Sequence, residues 1–337
     1  MSSTTTSPPV GGWLYAPAVP PHLEPPVPLD HPFGRPLVIA NPAAGSGRAP
    51  VLPRLCAALD GLDLAYDVEI TGGPGHATHL AQTAVADAER RYIIAVGGDG
   101  TVHEVVNGLV DAASGTTRGD DPVLAVVSAG SGSDLVRTFG LDRPAEQLAR
   151  HLVTDATMPI DLGVVHHQDR QDRPRSTVFA NVAQIGFGAR VVRTASRLPR
   201  RLGRSRYGIG IVAGWGGFRR VSTTVVVDGG EVTEDVCNVL VANGQFFGGG
   251  MRVAPRALPD DGLFSVQSWG GSVSDVVRAG RQLRRGSHLE RPDVREWRSQ
   301  RVEVHSARPL VVEADGEVLG MGPARFEVLP RVVRFKL

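Results

Sequence analysis

Cysteine is scarce in this chain of 337 residues, which contains only Cys56 and Cys237. Two isolated cysteines match no spacing typical of metal ligands, so the cysteine pattern predicts neither a zinc site nor a disulfide framework. We expect each cysteine to be a small buried apolar side chain in a reducing compartment.

Long apolar runs are absent too. No run approaches the roughly 18 residues that a membrane-spanning helix needs. Residues 1–10 lack the basic region and the apolar stretch of a signal peptide. We therefore expect a cytoplasmic protein, which could still be peripheral at a membrane surface.

An excess of either charge is also missing. The chain has 36 Lys and Arg against 35 Asp and Glu, a net charge of +1. This balance excludes a globally basic nucleic-acid-binding protein, and we expect no nucleic-acid partner. Apolar residues make up 42% of the chain and charged residues 21%, as in an ordinary globular protein.

Changes in residue pattern along the chain predict its domains. Residues 1–34 are rich in Pro, Ser and Thr, which is typical of a flexible tail. Apolar strand patterns alternate with helical ones over residues 35–158, which predicts a doubly wound α/β nucleotide-binding domain. Residues 159–337 contain short β-rich runs separated by turn residues, which predicts a β-sandwich. Two helices are expected to interrupt the sandwich, near residues 188–204 and 272–286.

Three glycine-rich turns follow predicted strands of the first domain, at residues 41–47, 97–101 and 130–134. Ligands of an open parallel sheet bind at the carboxyl ends of its strands. Glycine lets the backbone approach a phosphate, and the N–H groups at a helix start favour an anion. The three turns therefore predict one phosphate-binding crevice. None has the Gly-Lys-Ser/Thr of a P-loop, and no Gly-x-Gly-x-x-Gly opens the first helix, which disfavours standard ATPases and NAD(P) dehydrogenases.

Residues 95–109 read Ala-Val-Gly-Gly-Asp-Gly-Thr-Val-His-Glu-Val-Val-Asn-Gly-Leu, and this block resembles the signature of the diacylglycerol kinase catalytic domain. The resemblance extends to bacterial lipid kinases and sphingosine kinases. Asn41-Pro42 resembles the first loop of that family, and Thr71 lies in a segment similar to the one after its second strand. The Gly-Ser-Gly-Ser-Asp at 130–134 resembles the family's Gly-Thr-x-Asn-Asp.

The second half carries the resemblance further, with the blocks 181–189, 248–255, 261–263 and 315–317 similar to the family's sandwich domain. The family's fold implies an active site in the cleft between the two domains. Its activity implies transfer of the γ-phosphate of ATP to a lipid hydroxyl, most simply that of diacylglycerol.

The resemblance also implies roles for single residues. A catalytic Mg²⁺ would be held, partly through water, by Asp99, Asp134 and Asp161, since carboxylates and water suit this small cation. A second, structural Mg²⁺ would be held by the Asp261 carboxylate and two backbone carbonyls, those of Leu258 and Leu263. The residues implied in nucleotide binding are Asn41, Thr71, Gly97, Gly98, Asp99, Gly100, Thr101, Val102, His103 and Ser131.

Asp315 and Glu317 are the candidates for the general base and its partner, because a carboxylate facing the nucleotide could accept the proton of the lipid hydroxyl. An Asp-Gly pair in a β-rich stretch is also typical of a plain hairpin turn. The sequence leaves open which of the two carboxylates acts, and we favour Glu317.

Arginines are clustered twice. Residues 190–206 contain seven arginines and no acid, and a second cluster comprises Arg278, Arg281, Arg284 and Arg285. Such clusters indicate either solvated helix faces or basic helices that dock on anionic headgroups. A homodimer is left open.

Two other functions remain at this stage. An NAD kinase or another small-molecule kinase shares Gly-Gly-Asp-Gly, although the Asn-Pro loop and the Gly-Gly-Gly-Met block at 248–251 argue against NAD kinase. A catalytically inactive lipid- or nucleotide-binding regulator is the other, because Ser131 and Ser133 replace the family's Thr and Asn.

Overall fold

The structure is a computed structural model. It describes residues 31–44, 50–87, 90–129, 134–198 and 218–337, together with Gly210. The tail predicted at 1–34 lies outside the described residues except for its last four positions. Ser131 and Ser133 lie outside them as well, as does the arginine-rich stretch beyond residue 198.

The first half of the chain is built on four parallel strands in the order β4-β3-β1-β2. They are β1 (Leu37–Ala40), β2 (Asp67–Ile70), β3 (Tyr92–Gly97) and β4 (Val123–Ser128). The helices are α1 (Val51–Asp60), α2 (His76–Val85), α3 (Asp99–Leu109), α4 (Asp134–Thr138) and α5 (Ala145–Leu152).

Helices cover both faces of this sheet. Side chains of α2 and α3 pack on one face, and those of α1 and α5 pack on the other. Every residue of β3 is consequently buried, as its continuous apolar run predicts for a parallel strand between two helix layers.

The second half is dominated by strands. They are β5 (Thr157–Gln168), β6 (Pro174–Phe179), β7 (Val182–Gly186), β8 (Val221–Val227), β9 (Gly230–Val236), β10 (Asn238–Ala242), β11 (Phe264–Trp269), β12 (Val294–Ser299), β13 (Arg301–Ser306), β14 (Val311–Ala314) and β15 (Glu317–Lys336). Helices α6 (Phe187–Ser196) and α7 (Val273–Arg285) lie among these strands, and a 3₁₀ turn (His288–Glu290) follows α7.

Two layers of these strands share one apolar core. The layer β12-β11-β10-β7-β14 packs against strands β5, β13 and β15. Phe179 stacks on Phe264 at a centroid distance of 5.6 Å and meets Phe326 edge-on. The prediction of an α/β domain followed by a β-sandwich is confirmed.

Strand β15 joins the two halves. It begins in a hairpin with β14, pairs along most of its length with β5, and ends parallel to β4 of the first sheet, with Arg334 opposite Val123. The hairpin turn at 315–316 is therefore tied to the first domain through the backbone ladder. Among the described helices, none combines the length and apolar character that crossing a bilayer requires.

Candidate active site

The glycine-rich loop at 97–101 joins the end of β3 to the start of α3. A Cβ on Gly97 would stand 2.3 Å from Oγ1 of Thr101, so only glycine leaves room for that hydroxyl. The Asn41 amide Nδ2 donates to the same Oγ1 at 3.2 Å. Asn41 and Thr101, both predicted to bind nucleotide, are thus brought together.

Thr71 reaches the same edge of the sheet. Its N–H donates to the carbonyl of Ala40 at 2.9 Å, and Ala40 lies opposite both Ile70 and Val96 in the parallel ladders. The ends of β1, β2 and β3 are therefore level. This alignment is what lets turns distant in sequence form one crevice.

Asp99 and Asp134 are also neighbours. The backbone N–H of Asp134 donates to Asp99 Oδ1 at 3.2 Å. The Asp134 carboxylate, only 3% exposed, accepts N–H groups from Gly249 at 2.8 Å and Gly250 at 2.7 Å. Residues 248–250 all have positive φ, which favours glycine here. Asp134 therefore fastens a loop of the second domain onto the first.

Asp161 accepts hydrogen bonds from a different set of backbone N–H groups. Its fully buried carboxylate accepts N–H groups from Gly262 at 2.6 Å and Arg331 at 2.8 Å. Burial raises the pKa of Asp161, and the two N–H donors act against that rise. The described residues contain no group of three or more His, Cys, Asp or Glu side chains placed to bind a metal. Asp161 is thus not gathered with Asp99 and Asp134.

The loop predicted to hold a second Mg²⁺ lies next to Asp161. Its Asp261 carboxylate forms an ion pair with Arg298 and accepts the N–H of Leu263 at 3.1 Å. Leu258 is 48% exposed. In this arrangement the Asp261 carboxylate is paired with the Arg298 guanidinium.

Asp315 is held by fixed donors on both oxygens. Oδ1 accepts the N–H groups of Asn181 at 2.9 Å and Val182 at 3.2 Å, and Oδ2 accepts that of Ala180 at 2.8 Å. Nδ1 of His103 lies 3.3 Å from Oδ2. His103 belongs to α3, so this contact joins the glycine loop's helix to the turn of the second domain.

Glu317 differs from Asp315 in being exposed. Its Oε1 lies 3.3 Å from the position that a Cβ on Gly100 would occupy. The glycine loop and the Glu317 carboxylate therefore face each other across a cleft between the domains. Side chains of both domains line that cleft: Asp99, Val102, Leu135, Ala180, Asn181, Phe247 and Asp315.

An apolar pocket of about 120 Å³ lies beside the cleft. Phe247 lines both spaces, so the two adjoin at this side chain. The apolar walls come from α6, α7 and the strands beneath them, with Phe187, Val191, Val192, Leu240, Met251, Trp269, Val276 and Leu283. Sequence reasoning missed this pocket, because its residues carry the same apolar pattern as a filled core.

Comparisons with known proteins agree with this geometry. Residues 35–165 match the diacylglycerol kinase catalytic domain, and residues 181–336 match the YegS C-terminal NAD kinase beta sandwich-like domain. A diacylglycerol kinase of Mycobacterium tuberculosis H37Rv is 30% identical over 311 residues, which cover 90% of this chain and 95% of that protein. The chain belongs to the diacylglycerol kinase family.

Other members support the assignment. A diacylglycerol kinase of Bacillus subtilis is 28% identical over 260 residues, covering 76% of this chain and 80% of that protein. A solved diacylglycerol kinase of Bacillus anthracis Sterne superposes with a TM-score of 0.65 at 19% identity, covering 90% of this chain and 96% of that one. At this identity the superposition shows a shared fold. The family resemblance predicted from the sequence is confirmed, and with it the class of enzyme, a lipid kinase.

Proposed function

We propose that this enzyme transfers the γ-phosphate of ATP to the hydroxyl of diacylglycerol or a related lipid, with Glu317 as the general base. One observation carries the proposal. The exposed Glu317 carboxylate lies against Gly100 of the glycine loop, next to a cleft that adjoins an apolar pocket at Phe247. Phosphate donor, base and lipid would then meet at one point.

The residues present fit a nucleoside triphosphate. Apart from Gly98 and its two chain neighbours, no described residue has a heavy atom within 4 Å of where a Cβ on Gly98 would stand, which leaves room for a phosphate at the start of α3. The first N–H groups of a helix have no partner within it and favour an anion. Asn41, Thr71 and Thr101 add side-chain donors at the same edge. The contribution of Ser131 rests on the family resemblance.

Asp99 and Asp134 are the residues we propose for the catalytic Mg²⁺, since their neighbouring positions offer the oxygen ligands that this ion prefers. When bound, the ion would neutralise charge on the phosphates. The magnesium roles of Asp161 and of the 258–263 loop rest on the family resemblance alone.

Glu317 is a better candidate for the base than Asp315. A general base must be within reach of the substrate hydroxyl, and Glu317 is exposed beside Gly100, whereas Asp315 is buried and accepts three backbone N–H groups. In our proposal Glu317 takes the proton of the lipid hydroxyl as the hydroxyl oxygen attacks the γ-phosphorus. The bond from that phosphorus to the bridging oxygen of ADP breaks, and ADP leaves. Asp315 keeps the turn in place.

The apolar pocket is the proposed site of an acyl chain, because its walls are almost entirely apolar. One wall is α7, whose Val276 and Leu283 line the pocket. The opposite side of the same helix exposes Arg278, Arg281, Arg284 and Arg285, and Val277 is 51% exposed. We propose that this basic helix docks on anionic headgroups at the mouth of the pocket.

A lipid panel tests the proposed activity. Purified protein with labelled ATP and Mg²⁺ would be offered dioctanoylglycerol, a monoacylglycerol, sphingosine and NAD, with products separated by chromatography. We expect phosphorylation of dioctanoylglycerol or another panel lipid. Phosphorylation of NAD alone would instead identify an NAD kinase, and no product at all would identify an inactive binding protein.

Flotation with vesicles tests the docking helix. Vesicles containing phosphatidylglycerol should bind the protein at low salt and release it as salt rises, because exposed charges are screened. The double variant Arg281→Glu with Arg285→Glu should not float. Arg308→Glu, at an exposed position of the sandwich domain, is the matched control and should float. Binding that ignores salt would contradict an electrostatic contact.

A further inference from the structure

A chain of buried side-chain hydrogen bonds runs beneath the 313–317 turn. Gly316 N–H donates to Glu313 Oε1 at 2.6 Å, and Gln184 Nε2 donates to Glu313 Oε2 at 3.2 Å. Asn238 Nδ2 donates to Gln184 Oε1 at 3.1 Å, and Gly188 N–H donates to Asn238 Oδ1 at 2.9 Å. Nothing in the mechanism above uses these side chains.

The direction of every bond in this chain is fixed. The oxygen and nitrogen of an amide side chain are normally interchangeable, but both ends here are backbone N–H groups, which can only donate. Gly188 N–H requires the oxygen of Asn238, which in turn orients Gln184. The Gly316 N–H and the Gln184 amide therefore both donate to the Glu313 side chain. With Gln at position 184, both side-chain oxygens at position 313 must accept a hydrogen bond.

Burial of the three side chains makes these hydrogen bonds necessary. Glu313 is fully buried, Gln184 is 6% exposed and Asn238 is 8% exposed. Burial raises the pKa of Glu313, while the N–H of Gly316 and the amide of Gln184 act against that rise. A buried carboxylate is costly unless its oxygens are hydrogen-bonded. The arrangement is therefore sensitive to the loss of either donor.

The chain of bonds connects two parts of the site. At one end, Gly316 lies between Asp315 and Glu317. At the other, Gly188 lies in the first turn of α6, the helix that carries Phe187, Val191 and Val192 into the apolar pocket. Gln184, Gly188 and Asn238 themselves line that pocket.

We propose that Glu313 is a positioning residue that ties the Asp315-Gly316-Glu317 turn to the wall of the apolar pocket through Gln184 and Asn238. An acyl chain that fills the pocket fixes α6, and through this chain of bonds it fixes the turn that carries Glu317. Lipid binding and base placement are thereby coupled. This inference rests on the proposed function, which assigns Glu317 as base and the pocket to the lipid.

An exchange of charge between two positions tests the inference. Glu313→Gln places an NH₂ group against the Gln184 amide or the Gly316 N–H, both of which are donors. Gln184→Glu leaves two carboxylates, those of residues 184 and 313, facing each other. Each single change should lower kcat for dioctanoylglycerol about 10- to 100-fold, because small displacements of catalytic groups have effects of this size. KM for ATP should change little.

In the double variant every donor again faces an acceptor, with the bond between positions 184 and 313 reversed, because the amide at 313 then donates to the carboxylate at 184. Its kcat should return to within about threefold of wild type, a strong departure from additivity. Recovery of kcat in the double variant would show that residues 184 and 313 act through their hydrogen bond, since the losses of kcat from two independent defects should add instead. A double variant no better than the poorer single variant would overturn the proposal.

The dependence of kcat on acyl-chain length is a further test, because a merely structural role of Glu313 would leave that dependence unchanged. In the wild type, kcat should rise from dibutyrylglycerol to dioctanoylglycerol, and in either single variant this rise should be lost. An unchanged dependence on length would overturn the coupling. Gly188→Ala provides the same test if a single variant fails to fold, because its methyl group would stand 1.9 Å from Gln184 Oε1 and displace it.

The two proposals fail in different ways. A wild-type protein that phosphorylates no lipid of the panel sinks the proposed function and the present inference with it. An active wild type whose double variant is not rescued sinks the present inference alone.

Discussion

The loop at 97–101 and the turn at 313–317 face each other across the cleft, yet they are built in opposite ways. The loop depends on the space left where Gly97, Gly98 and Gly100 lack side chains. The turn depends instead on buried carboxyl groups, with Glu313 fully buried and Asp315 6% exposed. We infer that the nucleotide side depends on space and backbone N–H groups, whereas the lipid side depends on carboxylates held by fixed donors.

The difference predicts two kinds of failure. On the loop side, an added methyl group acts by steric clash or by filling the ligand's space. On the turn side, a change of one oxygen to nitrogen acts through hydrogen bonding, with hardly any change in shape.

The largest effect is expected within the turn itself, from Glu317→Gln. Loss of the proposed base should lower kcat for dioctanoylglycerol by roughly 10²- to 10⁴-fold. The melting temperature should stay near that of wild type, because Glu317 is exposed.

Asp315→Asn is the matched comparison. It places an NH₂ group against backbone donors and should lower the melting temperature measurably, since buried donors lose their acceptor. If Glu317→Gln kept wild-type kcat, the assignment of Glu317 as the base would fail.

A smaller effect should separate two neighbouring glycines of the loop. Gly97→Ala forces a methyl group onto the Thr101 side chain and should reduce the free energy of unfolding by about 1–3 kcal/mol. Gly98→Ala meets no described atom and should leave that free energy nearly unchanged while weakening ATP binding. Urea unfolding and ATP titration measure the two effects. Equal loss of stability in both variants would contradict the packing around Thr101.

The smallest effect is expected on the free energy of unfolding at acidic pH, through His288. His288 is buried against Trp269 of the pocket wall, and burial lowers the pKa of His288 to about 4, below its ordinary 6.5. As pH falls below 6.5 the unfolded chain takes up a proton at this position before the folded chain does. Stability from this residue is therefore full above pH 6.5 and lost as pH falls toward 4.

His288→Gln should flatten that part of the stability profile, measured by urea unfolding at a series of pH values. The exposed His79→Gln serves as the control and should leave the slope as it is. An unchanged slope in His288→Gln would show that other groups set the acid response.

Local patterns made the first domain easy to predict. The continuous apolar run of β3 followed by Gly-Gly-Asp-Gly predicts a buried parallel strand, a phosphate turn and a helix, and the structure has all three elements in that order. Asp134 was harder, because its carboxylate is bound by Gly249 and Gly250, more than a hundred residues away. No local sequence pattern predicts a contact between residues so far apart in the chain.

The sequence by itself determined the glycines of the loop, the strand-and-helix alternation and the family, because these depend on residue types at fixed short spacing. Only the tertiary structure decided which carboxylate is held and which is exposed. Asp315 and Glu317 are two residues apart with the same chemistry, but the N–H groups of residues 180–182 fix one and leave the other facing Gly100. The bonds that link Glu313, Gln184 and Asn238 likewise exist only once β14, β7 and β10 lie side by side.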